Sequence, residues 1–229
     1  MNGLFTGERK KRKGRIVFAA AIMLACVIII PSFSSLAAWN ENKIYSYVQV
    51  PEEYCHDAKW TGDWIEIESG GQKFFCFGCG VCCLSNVCST FYGVALTPDI
   101  MFERARKHTD YDPDSGRGAL SWKQLRTIYE RYGCVTETKR KPDDYADFRE
   151  DVKNSDTTMV LVCKYNDDKL WFYTLGHYVN LWNYDPKDDT VFVTDSSGLF
   201  NRQRVKLRDV YNALKTSSDA QYMCIDKGI

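Results

Sequence analysis

The pattern of apolar and polar positions divides the chain into a helical part followed by a strand-rich part. Residues 81–92 are rich in apolar and small side chains and end at Gly93, which predicts a helix. A second helix should follow with Thr97 as its cap and Pro98 at its first position, and a third should begin at the capping box of residues 121–124. The first part of the folded chain is therefore expected to be mainly helical.

After residue 133 the composition changes to β-branched and aromatic residues, which favour strands. Strand patterns cover residues 134–138, 158–165, 176–184, 190–195 and 221–225, and helical patterns cover residues 145–153 and 205–214. The turn around Pro186 joins two of these strands into an antiparallel hairpin. Helices followed by an antiparallel sheet predict an α+β fold.

Residues 1–37 differ in character from everything that follows. Six basic residues and one acidic residue precede residue 16, fifteen uncharged residues come next, and small residues lead up to Ala37. This is the pattern of a secretory signal cleaved after Ala37, or of an uncleaved membrane anchor. We therefore expect a secreted or otherwise extracytoplasmic protein, free or tethered to the membrane. Residues 38–71, which include a strand pattern at 65–68, should form an extended entry segment, and residues 72–229 the functional domain.

The charge of the remaining chain limits its partners. Residues 38–229 contain 24 basic and 29 acidic residues, a net charge of −5. A mildly acidic domain does not attract the phosphates of nucleic acid, so we expect no nucleic-acid partner.

The cysteine count indicates disulfides together with a free thiol. Nine cysteines follow residue 37, namely Cys55, Cys76, Cys79, Cys82, Cys83, Cys88, Cys134, Cys163 and Cys224. Exported proteins commonly pair their cysteines, and an odd number leaves at least one unpaired. The count thus matches a chain that needs one reactive cysteine.

Cys79 is the best-placed candidate for that reactive thiol. It stands between Gly78 and Gly80 at the start of the first predicted helix. Glycine neighbours would leave room for a substrate, and the partial positive charge of a helix N-terminus favours a thiolate. A structural cysteine is the alternative interpretation of the same residue.

His177 is the candidate base among the three histidines, His56, His108 and His177. It begins one strand of the predicted hairpin, and Asp195 ends the other strand at the same end of the hairpin. Asp195 could therefore orient the imidazole while the imidazole takes the thiol proton of Cys79. This is the arrangement of nucleophile, base and orienting acid used in covalent catalysis.

These residues also carry a family resemblance. Gly78-Cys79-Gly80 with Leu84 at a helix start, then residues 176–179, then Asp195 at a strand end, resemble the papain-like cysteine peptidases of the bacteriocin-processing type. Members of that family cut leader peptides after a double glycine, and some are free-standing secreted proteins. The resemblance covers residues 72–198, although Val81, Cys82 and Ser196 replace residues that are common in the family.

The resemblance implies a papain-like α+β fold and a peptide or protein substrate. Cys79 would be the nucleophile, His177 the general base and Asp195 the orienting residue. Gln72 would donate to the oxyanion together with the backbone N–H of Cys79. No metal and no cofactor is implied.

Two other functions fit parts of the same pattern. Cys76, Cys79 and Cys82 match the start of an iron–sulfur run, but position 86 is Asn86 where the fourth cysteine should stand. A zinc site would need a second well-spaced pair of ligands. A catalytically silent peptide- or wall-binding module would hold Cys79 in a disulfide with Cys76, Cys82 or Cys83. The substrate, the disulfide pairing, the oligomeric state and the choice between hydrolase and transferase stay open at this point.

Overall fold

The computed structural model describes residues 38–55, 57–115, 118–166 and 169–228. The predicted signal or anchor segment of residues 1–37 and His56 lie outside these ranges. The chain from Ala38 to Ile229 forms one compact unit. Within the described ranges, no helix is long and apolar enough to span a membrane.

The helices follow the predicted pattern closely. In chain order they are α1 (Phe74–Phe77), α2 (Cys79–Tyr92), α3 (Pro98–His108), α4 (Trp122–Arg131), α5 (Tyr145–Asn154) and α6 (Leu207–Ala213). Helix α2 begins two residues earlier than predicted, and it ends where Gly93 adopts a left-handed conformation with φ of 67°. Helix α4 has the predicted capping box, in which Ser121 and Gln124 each accept from the other's backbone N–H.

The strands form a short ribbon and one large sheet. The ribbon pairs β1 (Glu68–Ser69) with β2 (Gln72–Lys73). The sheet contains β3 (Cys134–Lys139), β4 (Thr157–Val162), β5 (His177–Asp185), β6 (Thr190–Thr194), β7 (Gln203–Lys206) and β8 (Tyr222–Lys227). Its strand order is β3-β8-β4-β5-β6-β7, and every neighbouring pair is antiparallel. The α+β prediction is confirmed.

Alternate residues of the central strands face two different cores, because successive side chains of a strand point to opposite faces. Met159 and Leu161 of β4 join a core with residues of α2, α3 and α4. Val160 and Val162 join a second core with residues of α5 and α6. The sheet thus lies between two helical layers, and α2 packs against β5.

Two local predictions are wrong. Residues 65–67 do not belong to a strand, since Asp63–Glu66 is a short 3₁₀ helix and β1 begins only at Glu68. The 3₁₀ helix places the Trp64 side chain in the core, where its indole N–H donates to the Val48 carbonyl at 2.8 Å. Residues 205–214 are not all helical either. Val205 belongs to β7, which pairs with β6, and the helix begins only at Leu207.

The expected disulfides are not found among the described residues. All nine cysteines there are free thiols, and seven of them are buried. Cys82, Cys83 and Cys88 lie in the first core, where a free cysteine packs as a small apolar side chain. Burial in the core, rather than pairing, therefore accounts for most of the cysteine count.

Candidate active site

Cys79 is the first residue of α2, and only 7% of its surface is exposed. Gly78, the residue before Cys79, allows close packing against Phe74. A Cβ at Gly78 would lie only 2.5 Å from the Phe74 ring, so glycine is required for α1 and α2 to adjoin. A Cβ at Gly80 would come within 3.3 Å of Leu120 and 3.5 Å of Tyr178. Glycine at these positions thus lets the helix start sit tightly against its neighbours, in contrast to the expectation that it clears space for substrate.

His177 and Asp195 meet at one end of the β5–β6 hairpin. Strands β5 and β6 pair Asn180 with Thr194, which places both residues just beyond that pair at the same end. His177 Nε2 lies 2.7 Å from Asp195 Oδ1, and both side chains are buried. The hairpin alone therefore brings together two of the residues identified from the sequence.

Cys79 reaches this pair from the helical layer. Its thiol lies close enough to the His177 imidazole, and to the backbone N–H groups of Tyr178 and Gly80, for all three to favour its ionised form. Because Nε2 faces Asp195, Nδ1 is the imidazole nitrogen left to face the thiol. The three side chains thus form a line from sulfur through imidazole to carboxylate.

The charges of this line reinforce one another. Burial disfavours ionisation of Cys79, but the hydrogen bond and the charge of His177, together with the two backbone donors, outweigh it and lower the pKa of the thiol. Burial likewise disfavours a charged His177, but the Asp195 carboxylate outweighs it and raises the pKa of the imidazole to about 10. Burial would raise the pKa of Asp195, and contact with His177 and Ser197 lowers it instead. The lowered pKa of the thiol and the raised pKa of the imidazole both favour a thiolate paired with an imidazolium.

Asp195 is held by more partners than the sequence indicated. The Trp171 indole N–H donates to Oδ2 at 3.0 Å, and the backbone N–H of Phe200 donates to the same oxygen at 3.3 Å. The backbone N–H of Ser197 donates to Oδ1 at 2.8 Å. Trp171 is fully buried and adopts a positive φ of 53°. No periodic pattern in the sequence predicts that Trp171 contacts Asp195, so this residue could not be identified from the sequence as part of the site.

We expect Trp171→Phe to weaken the site without destroying the fold. Phenylalanine keeps an aromatic side chain but fills less volume than the fully buried indole, and Asp195 loses one of its donors. The lost hydrogen bond to a charged group should cost about 1.5 to 3 kcal/mol of unfolding free energy, and the cavity adds to that loss. Urea unfolding measures that loss, and the alkylation rate of Cys79 at pH 6 should fall several-fold. Trp64→Phe is the matched control, because it also removes a buried indole donor but lies outside the site. An unchanged alkylation rate in Trp171→Phe would contradict a positioning role.

Gln72 is not brought into this line. It lies in β2 with an exposed side chain, and a Cβ on Gly118 would lie 2.9 Å from its Oε1. Among the described residues, no hydrogen bond joins Gln72 to Cys79, His177 or Asp195. Its role as an oxyanion donor stays a prediction. The N–H of Cys79 has no partner within α2, because Cys79 is the first residue of that helix.

The other predicted chemistries find less support. In the part of the chain that the structure describes, no group of three or more His, Cys, Asp or Glu side chains is arranged to hold a metal ion. Cys79 is a free thiol, whereas the silent-module alternative needs it in a disulfide. His108 ends α3.

Comparison with known proteins gives similarity in structure only. No protein-family model matches the chain, and no curated protein matches it in sequence. It is similar to the N-terminal peptidase C39-like domain of the toxin secretion ATP-binding protein from Vibrio parahaemolyticus, with 17% identity, a TM-score of 0.42, and coverage of 65% of this chain and 96% of that one.

A second neighbour is the peptidase domain of Streptococcus ComA, a bi-functional ABC transporter involved in a quorum sensing pathway. It shows 15% identity, a TM-score of 0.41, and coverage of 66% of this chain and 91% of that one. These neighbours are peptidase domains of the type that the sequence resembles. At this level of similarity the proposed function rests on the geometry of the site itself.

Proposed function

We propose that this protein is an exported cysteine peptidase that hydrolyses a peptide or amide bond through an acyl-enzyme. The observation that carries the proposal is the line of Cys79, His177 and Asp195, in which His177 Nε2 lies 2.7 Å from Asp195 Oδ1 and the imidazole lowers the pKa of the neighbouring Cys79 thiol. A thiolate paired with an imidazolium is the activated nucleophile of such enzymes. Export rests on the sequence pattern of residues 1–37.

The reaction uses each member of the line in turn. The Cys79 thiolate attacks the substrate carbonyl carbon, and the oxyanion that forms accepts from the N–H of Cys79 and from Gln72. His177 gives its proton to the leaving nitrogen as the C–N bond breaks, which leaves a thioester on Cys79. Water then attacks the thioester and gives a proton to His177, the C–S bond breaks, and the thiolate is restored. Asp195 stays ionised and keeps the imidazole in place.

Exposed apolar side chains in the segment that precedes His177 support a peptide substrate. Phe172, Tyr173 and Leu175 are all exposed, and they precede His177 in the chain. The Tyr173 ring lies 6.5 Å from the imidazole, and its hydroxyl is 2.6 Å from Ser197 Oγ. Exposed apolar groups beside a reactive centre are suited to bind apolar side chains of a peptide.

The pH dependence of thiol alkylation tests this proposal. We expect iodoacetamide to modify Cys79 at pH 6 faster than an ordinary thiol, which is only about 0.3% ionised there, because the lowered pKa of Cys79 increases its thiolate fraction. As the pH rises through about 10, His177 loses its proton and the ion pair disappears. Turnover should therefore decline on that alkaline side, since no imidazolium remains to protonate the leaving group. The rate at each pH is read by mass spectrometry of the purified full-length chain.

The variant His177→Ala tests whether Cys79 reacts quickly because His177 activates it or only because its thiol is accessible. Without the imidazole, only the backbone N–H groups of Tyr178 and Gly80 oppose the effect of burial, so the pKa of Cys79 should rise and its alkylation at pH 6 should fall about 100-fold. His108→Ala, which removes a histidine at the end of α3, should leave the rate unchanged, and the exposed Cys76 provides an internal reference thiol. Equal rates for Cys79 in His177→Ala and in the unaltered protein would refute the proposal.

A further inference from the structure

The first turn of α2 contains a second cysteine beside the nucleophile. Cys79 and Cys82 stand three residues apart in this helix, as Cys-Gly-Val-Cys. Regular helix geometry puts Cα atoms at this spacing about 5 Å apart, well inside the range of about 4.4 to 6.8 Å that a disulfide spans. Cys83 stands four residues from Cys79, at a helical separation of about 6 Å. The turn between Cys79 and Cys82 includes Gly80, whose freedom eases the local adjustment that a bond would need.

We propose that Cys79 and Cys82 form a reversible disulfide that inactivates the nucleophile under oxidising conditions and protects it from irreversible oxidation. The proposal rests on the role of Cys79 given above. It assigns to Cys82, which has no part in the peptidase reaction, the role of a resolving thiol.

The two thiols differ in exposure and in the direction of their pKa shifts, as expected for a reactive thiol and a resolving thiol. Cys79 is 7% exposed and Cys82 is fully buried, so a dissolved oxidant meets Cys79 first. Burial and the nearby charge of Cys79 raise the pKa of Cys82 well above the ordinary value, whereas the pKa of Cys79 is lowered. A thiol of lowered pKa that is the more accessible of two neighbouring cysteines is the arrangement found in redox-sensing cysteines.

The reaction needs only a peroxide as oxidant. The Cys79 thiolate attacks one peroxide oxygen, an S–O bond forms, the O–O bond breaks, and a sulfenic acid remains on Cys79 while the other oxygen leaves as an alkoxide or hydroxide. The Cys82 sulfur then attacks the Cys79 sulfur, and an S–S bond replaces the S–O bond. The displaced hydroxide leaves as water with the Cys82 proton. Two thiols are thereby oxidised by two electrons, and the peroxide is reduced by the same two.

The bond would remove the sulfur from its catalytic partner. In the reduced protein the Cys79 thiol interacts with the His177 imidazole. The backbone N–H of Cys82 donates to the Gly78 carbonyl at 2.8 Å. A sulfur bonded to Cys82 carries no negative charge and cannot attack a carbonyl. Reduction by a dithiol would restore the thiolate, whereas oxidation of Cys79 beyond the sulfenic acid is irreversible for an unassisted protein.

The test treats the purified, reduced full-length chain with one equivalent of hydrogen peroxide at pH 6. Remaining thiols are blocked with one maleimide, the protein is reduced with dithiothreitol, and the released thiols receive a second, heavier maleimide. Tandem mass spectrometry of the tryptic peptide 74–104 then locates both labels on its cysteines Cys76, Cys79, Cys82, Cys83 and Cys88. We expect the heavy label on Cys79 and Cys82 only. Alkylation of Cys79 at pH 6 should fall at least about tenfold on oxidation and recover fully after reduction.

Two alanine variants identify the resolving thiol. Cys82→Ala is treated with an excess of at least two equivalents of peroxide, because the first equivalent forms the sulfenic acid on Cys79 and a second is needed for the sulfinic acid. Dithiothreitol should then not restore its alkylation, whereas the unaltered protein under the same excess should recover. Cys83→Ala, which removes the neighbouring buried thiol, should behave as the unaltered protein. Recovery in Cys82→Ala, or a heavy label on Cys83 in place of Cys82, would overturn the proposal. Slow alkylation of reduced Cys79 at pH 6 would instead count against the proposed peptidase, because the disulfide is read by mass whatever the activity.

Discussion

Cys79→Ala is expected to abolish turnover, with a loss in kcat on the order of 10³ to 10⁶, while the domain stays folded. A decrease in kcat of this size is typical when the nucleophile of a catalytic triad is removed, because no other group can form the covalent intermediate. The fold should survive, since the change removes one sulfur atom from a residue at the edge of the core. Hydrolysis of a fluorogenic peptide library measures activity, and urea unfolding measures stability.

Cys76→Ala is the matched control for this prediction. It removes an exposed cysteine three residues earlier, in α1, and should keep full activity. Full turnover in Cys79→Ala would refute the assignment of the nucleophile. Loss of activity in both variants would indicate that the turn from α1 into α2 matters, rather than the thiol of Cys79.

The pairing of His177 with Asp195 could be predicted because it depends on a local pattern. A turn around Pro186 between two strand patterns fixes which ends of the strands meet, and the structure has that hairpin as β5 and β6. The approach of Cys79 could not be derived in the same way. It lies 98 residues before His177, and no periodicity specifies which helix packs on which strand. The thiol is assigned to the imidazole because Cys79 is the best candidate nucleophile and His177 the best candidate base, and the family resemblance agrees with that assignment.

The other hydrogen-bond donors to Asp195 could not be predicted from the sequence for a different reason. Trp171 and the backbone N–H groups of Ser197 and Phe200 lie in irregular segments beside the hairpin. Their conformation depends on the tertiary contacts around them, and Trp171 adopts a positive φ that is uncommon for a bulky residue. Counting cysteines failed similarly, because the count does not distinguish a disulfide partner from a thiol that fills the core.

These partners make Asp195 a residue that asparagine cannot replace. Both of its carboxylate oxygens accept from N–H groups: Oδ1 from Ser197, and Oδ2 from Trp171 and Phe200. An asparagine side chain has one oxygen and one NH₂ group, so in either orientation its NH₂ would face at least one of these donors. The variant would also leave a buried His177 without its counter-charge. The site therefore needs a carboxylate for its geometry as well as for its charge.

We therefore expect Asp195→Asn to lose about 3 to 5 kcal/mol of unfolding free energy near neutral pH, and to keep only weak activity, reduced by about 10⁴. Because the pKa of Asp195 is lowered in the folded state, its contribution is present above the unfolded value of about 3.9 and is lost as the pH falls through the folded value. The stability difference between the two proteins should thus shrink in acid. Urea unfolding from pH 3 to pH 7 measures it. Asp185→Asn removes the same charge from the last residue of β5, where Oδ1 accepts from the Lys187 N–H, and should change stability by less than about 0.5 kcal/mol. A difference for Asp195→Asn that is equally small at pH 7 would contradict the role of its carboxylate.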